Sequence, residues 1–179
     1  MKKIFLLASL GLFTLTSCTK EEETGSREFP QELLIDDTRY ELGEGFIVDY
    51  GTSPSYKGSN LALNVLSSGL NTGYDAAGFP DTILGTGFVF LLEMYSPDST
   101  FLSPGVYAVD SVVSGNLLTI SRGAAISIGE ANPVEYNFVK GSVEVILIDE
   151  VYTFVGSFTA SGGNEIKFSY QNKLAVFQI

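Results

Sequence analysis

The chain has 179 residues, with 10 Lys and Arg against 21 Asp and Glu, a net charge of −11, no His, no Trp and one Cys. That length suits one domain with a real core, and 45% hydrophobic against 17% charged residues mark a globular chain rather than a disordered one. The lack of His excludes Ser-His-Asp and Cys-His catalysis and the usual zinc sites; one Cys excludes an internal disulfide; the acidic balance disfavours nucleic acid.

The first residues read as an address. Met1-Lys2-Lys3 is a basic start, and the apolar run from Ile4 to Leu15 suits a signal-peptide core while falling short of a bilayer span of about 20 residues. Leu15-Thr16-Ser17-Cys18 follows. It resembles the lipobox of bacterial lipoproteins, which implies thioether lipidation of Cys18, removal of residues 1–17 and acylation of the new amine; the alternative is a free thiol after an ordinary signal peptide. Several acyl chains, at about 0.8 kcal/mol per buried CH₂, make such an anchor effectively permanent. Thr19-Lys20-Glu21-Glu22-Glu23 resembles the acidic export signal of Bacteroidota surface lipoproteins, which implies display on the outer face of the outer membrane; the alternative is a solvated spacer. Residues 18–32 read as the lipidated Cys and a flexible acidic tether, and residues 33–179 as a single β domain. Without residues 1–17 the chain carries 8 basic against 21 acidic side chains, a net −13, which favours solubility and repels polyanions.

From there the hydrophobic period is two rather than 3.6. Arg39 to Tyr50 is the first predicted strand, with Gly43 and Gly45 marking a bulge or close packing. Gly51 to Ser59 reads as a loop. Leu61, Leu63 and Val65 share one face of the next strand. Ser67 to Thr86 is a long irregular stretch, and Phe88, Phe90 and Leu92 form another strand face. Val106–Asp110, Leu117–Ser121 and Ala124–Ile128 are short strands, and Val134 to Phe138 alternates until Gly141 interrupts. Val143 to Ile148 is apolar on both faces, which predicts a strand covered on both sides near one end, or a sandwich edge sheet capped by a loop.

The remaining segments set registers by parity. An Asp149-Glu150 turn pairs Leu147 with Tyr152 and Val145 with Phe154. A three-residue Ser161-Gly162-Gly163 loop, with Gly163 supplying positive φ, pairs Phe158 with Ile166. A Gln171-Asn172-Lys173 loop would pair Phe168 with Val176, giving four consecutive antiparallel strands from Ser142 to Ile179. About nine to eleven strands in all predict an all-β fold, an antiparallel β-sandwich first and a closed, lipocalin-like β-barrel second.

The run Gly141-Ser142-Val143-Glu144-Val145, then Tyr152-Thr153-Phe154, a Gly-rich turn and Ile166-Lys167-Phe168-Ser169-Tyr170, resembles a strand pattern of uncharacterised Bacteroidota lipoproteins. Leu102-Ser103-Pro104-Gly105-Val106-Tyr107 resembles their Leu-x-x-Gly-x-Tyr lead into a strand, while Phe168 stands where the pattern often carries Gly. The resemblance implies group and fold and is nearly silent on activity.

Catalytic chemistry is sparse. A glycosidase needs only two carboxylates, and Glu93, Glu135 and Glu144 lie on predicted strands, yet none sits in a recognisable motif. No metal site or cofactor is indicated. Binding is better supplied: the two long irregular stretches carry Tyr56, Tyr74 and Phe79 with Asp75 and Asp81, residue types that stack on sugars or anchor peptides and hold hydroxyls. The competing reading folds these aromatics inward as loop plugs. The sequence thus points to a non-catalytic, membrane-anchored binding module for glycan or protein. The alternatives are an accessory subunit of an envelope assembly and, behind it, a carboxylate-only hydrolase.

Overall fold

The computed structural model describes residues 29–179, which are all-β with twelve strands and no helix. The lipobox, Cys18 and the acidic run lie outside the described residues. In chain order the strands are β1 (Glu32–Ile35), β2 (Thr38–Thr52), β3 (Ser59–Ser67), β4 (Leu70–Tyr74), β5 (Pro80–Gly85), β6 (Gly87–Ser96), β7 (Gly105–Val109), β8 (Thr119–Ile128), β9 (Glu135–Ile148), β10 (Val151–Ala160), β11 (Glu165–Asn172) and β12 (Ala175–Gln178).

Nine of them close into a barrel in the order β1-β11-β10-β9-β7-β8-β6-β3-β2 and back to β1. The expected all-β class holds, and of the two architectures it is the closed, lipocalin-like one that fits; the sandwich placed first is corrected. Closure rests on four residues. β1 pairs with β11 on one side (Leu33 opposite Phe168) and with β2 on the other (Leu33 opposite Tyr40), so no edge is left between first and last segments. The turn that makes this possible is Asp36-Asp37, both at positive φ (46° and 66°), the geometry of a two-residue hairpin. Asp149-Glu150 repeats it at 49° and 68°.

The registers of two predicted hairpins are found as expected: Leu147 opposite Tyr152, Val145 opposite Phe154, and Phe158 opposite Ile166 with Gly163 at φ 88°. The third is corrected. β12 does not fold back on β11; it runs parallel to β2, with Val176 opposite Ile47. The edge of β11 is already occupied by β1, so the C-terminal segment shifts one strand position and continues beside β2 above the point where β1 begins. Gly141 bends β9 without ending it, and the two short strands around residue 122 are one strand, β8. Ser67 to Thr86 is not irregular: it holds the β4–β5 hairpin, a separate two-stranded sheet.

The interior is filled by side chains. Phe90 stacks on Phe168 with centroids 3.8 Å apart, Phe138 stacks on Phe158 at 4.6 Å, and Leu102, Tyr107, Phe154 and Tyr170 are buried among them. Leu102 and Tyr107 give the Leu-x-x-Gly-x-Tyr run a physical role. Both side chains enter the core, the Tyr107 hydroxyl donates to the Ser103 carbonyl at 2.9 Å, and burial pushes its pKa up to about 12. A barrel plugged in this way has its wall, not its lumen, to offer a ligand.

β2 decides which residues reach that wall. Leu42 lies opposite Ser67 and Gly45 opposite Val65, so β2 spends three steps against two and carries a bulge at Gly43-Glu44. Leu42 and Gly45 therefore both face inward, while Glu44, Phe46, Val48 and Tyr50 face outward. The Tyr170 hydroxyl donates to the Gly43 carbonyl at 2.9 Å from inside the barrel. A Cβ on Gly45 would stand 2.7 Å from that hydroxyl oxygen.

Gly45→Ala should destabilise the fold by about 1–3 kcal/mol, because the Tyr170 ring has no room to retreat. Tyr170→Phe should cost about 1 kcal/mol for the lost hydrogen bond. Combined, they should cost less than their sum, since the closest atom to the new methyl is then gone. Denaturant midpoints of the three variants check this; strict additivity would contradict the packing described.

Candidate functional site

The outward row of β2 is roofed by the β4–β5 hairpin. Leu70 and Ile83 of the hairpin pack on Phe46, Leu66 and Val89 of the wall, forming a second apolar cluster outside the barrel, with Phe177 of β12 joining it. Phe177 meets Phe46 edge-on at 5.9 Å and lies 6.2 Å from both Tyr74 and Phe79. Glu44 ties the roof down: its carboxylate accepts the Tyr74 hydroxyl at 2.6 Å and the Thr72 N–H at 3.1 Å. Burial works to raise the Glu44 pKa, but the hydrogen bonds from Tyr74 and Thr72 outweigh it and hold the carboxyl below its ordinary value. The same hydrogen bond to Glu44, followed by burial, raises Tyr74.

Between roof and wall lies a cleft of about 160 Å³. Phe46, Val48 and Tyr50 line it from β2, Asn64 from β3, and Thr72 and the Pro80–Ile83 segment from the hairpin. Tyr50 is 46% exposed at its mouth and Tyr74 is 50% exposed one pleat beyond Thr72. Asn64 spends only its amide nitrogen, on the Ala62 carbonyl at 3.3 Å. The cleft thus offers aromatic surface, a carboxamide and the exposed Asp81 carboxylate side by side.

Of the residues singled out from sequence, Tyr74, Phe79 and Asp81 meet on this hairpin. Asp75 belongs to its tip, where the side chain accepts the Ala77 and Phe79 N–H groups at 2.9 and 2.8 Å and so serves the turn. Tyr56 lies elsewhere. It stacks on Tyr95 (4.7 Å, 21°) and donates to the Gly51 carbonyl at 3.1 Å, plugging its own loop. Tyr50, Asn64 and Glu44 escaped the sequence reading; the signal for Glu44 and Tyr50 was the strand parity after the Gly43 bulge, which turns Glu44, Phe46, Val48 and Tyr50 outward, and for Asn64 its alternation with the inward Leu61, Leu63 and Val65.

The three strand carboxylates do not converge. Glu93 and Glu135 share Arg122, each at 3.7 Å, and Glu144 stands on the wall formed by β9 and β10. Among the described residues no three His, Cys, Asp or Glu side chains gather as a metal site. No family model, no curated protein and no solved structure matches this chain.

Because the Glu44 pKa is lowered on folding, its contribution is present in full above its ordinary value of 4.5 and fades as pH falls through the folded value. Amide exchange at Thr72 and Tyr74, taken relative to the intrinsic rate at each pH, should therefore accelerate below about pH 4.5 before that of β3 and β6 does. Glu44→Ala should accelerate it at neutral pH. Uniform protection across hairpin and barrel at acid pH would contradict the clamp.

Proposed function

We propose that the protein is a lipid-anchored, non-catalytic binding module of the cell envelope, held in the outer membrane by Cys18 and displayed at the surface, and that it takes a glycan in the cleft beneath β4–β5. The observation that carries the reading is the exposed Tyr50 beside Asp81 and Asn64 in the cleft, with the exposed Tyr74 on the β4–β5 hairpin outside its lining. Sugar rings present C–H faces that pack on aromatic rings and hydroxyls that bond carboxylates and amides, so a cleft of this composition suits them. The filled lumen supports a wall site over a lipocalin-type internal one.

Two measurements test the two halves of the proposal. Soluble chain starting at residue 18, with Cys18→Ala, is titrated with a panel of mono- and oligosaccharides while thermal stability is followed. A glycan that binds the native state raises the midpoint, and Tyr50→Ala or Asp81→Asn should weaken that glycan about tenfold without lowering the unliganded midpoint. A panel that leaves the midpoint unmoved refutes the ligand class. In cells, Cys18→Ala should abolish incorporation of labelled palmitate and release the protein from the membrane fraction; an unmodified thiol in the parent protein refutes the anchor.

A further inference from the structure

The two halves of the barrel differ in what lies on them. The β2, β3 and β6 wall is roofed by the hairpin, whereas the outward side chains of β1, β11, β10, β9 and β7 stand bare. Val143 to Ile148 shows the difference most plainly. Its double-faced apolar pattern predicts cover on both sides, yet Ile146 is 38% and Ile148 65% exposed. A groove of about 510 Å³ crosses this bare wall. The strand registers order its lining. One row runs Val106, Glu144, Val155, Ser169, Glu32 across β7, β9, β10, β11 and β1, and the next carries Ser157, Lys167 and Leu34. Val106 is 57% and Val155 49% exposed. The groove is therefore mixed in character: Glu144 stands between the two exposed valines, Val106 and Val155, and Lys167 lies beside the half-buried Leu34.

Two of the three charges in the strip are without an ion pair. Glu32 pairs with Arg39 at 3.0 Å, but among the described residues neither Glu144 nor Lys167 makes an ion pair within 4.0 Å. They flank Val155, two strands and one pleat apart, a separation of about 12 Å. Lys167 also borders Asp36, Asp37 and Glu165 in a neighbouring depression, so Glu144 is the stronger anchor of the two. The chain's own tether does not suit the groove: Thr19 to Glu28 carries no apolar side chain, and Phe29 and Pro30 stand directly before β1. A second copy would set one concave strip against another and leave both unfilled.

We propose that this wall docks an extended segment of a partner protein. Apolar side chains of the segment rest on Val106, Val155 and Leu34, a Lys or Arg meets Glu144, and an Asp or Glu meets Lys167. At about 3.3 Å per residue the segment's two charges stand about three to four residues apart. This surface is separate from the glycan cleft, and either can fail without the other.

Random peptides displayed on phage are selected on the soluble chain. The expected yield is a shared pattern, a cation and an anion at that spacing around an apolar residue. A synthetic peptide carrying it should bind Glu144→Lys at least tenfold more weakly, recover when its cation is changed to Glu, and lose affinity for Val155→Arg. Lys167→Glu should have the smaller effect. All three positions face solvent, so thermal midpoints close to the parent's show that the fold is intact. Selection without a common pattern, or peptides that bind Glu144→Lys and Val155→Arg as well as the parent, overturns the proposal.

Discussion

One extra residue in β2 governs the rest of the molecule. Without the bulge at Gly43-Glu44, strand parity would send Glu44 into the lumen and Phe46 would lose its place outside. With it, Leu42, Gly45 and Ile47 point into the core while Glu44, Phe46, Val48 and Tyr50 form an outward row. The bulge survives because Tyr170 bonds its freed carbonyl and because Gly45 has no side chain where that ring lies. A buried tyrosine on the eleventh strand thereby determines what the second strand shows to solvent.

The outward row needs cover, since Phe46, Leu66 and Val89 would otherwise stand in water. The β4–β5 hairpin supplies it, and the Glu44 carboxylate, itself placed by the bulge, holds the hairpin in position. Apolar cover and polar clamp arise from the same strand, so the cleft beneath the roof has one rigid wall and one wall held by a few hydrogen bonds. The opposite wall has no comparable cover among the described residues. The asymmetry between a roofed half and a bare half, rather than any single pocket, is what distinguishes the two sides of this barrel.

Local alternation made much of the C-terminal half legible. Leu147 against Tyr152 and Phe158 against Ile166 follow from period-two patterning plus the turn residues Asp149-Glu150 and Gly162-Gly163, because a slip of one residue would invert every face. The β4–β5 hairpin was hidden for the converse reason. Its residues alternate weakly, Gly73 and Gly85 interrupt the pattern, and its stability comes from the wall it covers rather than from its own sequence. Tyr74, Phe79 and Asp81 were visible as residue types. That Asp81 shares a cleft with Tyr50 and Asn64 was not, since that cleft forms only where the roof meets the wall.

What the chain encodes by itself is the all-β class, most strand positions, the hairpins whose partners are neighbours in sequence, and a strongly acidic charge. These follow from short-range sterics and the two-residue period, which act within a few residues. Tertiary structure alone decided that the ring closes through β1, that β12 joins β2 in parallel, and which half of the wall is roofed. Each of those depends on an edge already taken or a surface already formed by segments far away in the chain, and no local pattern carries that information.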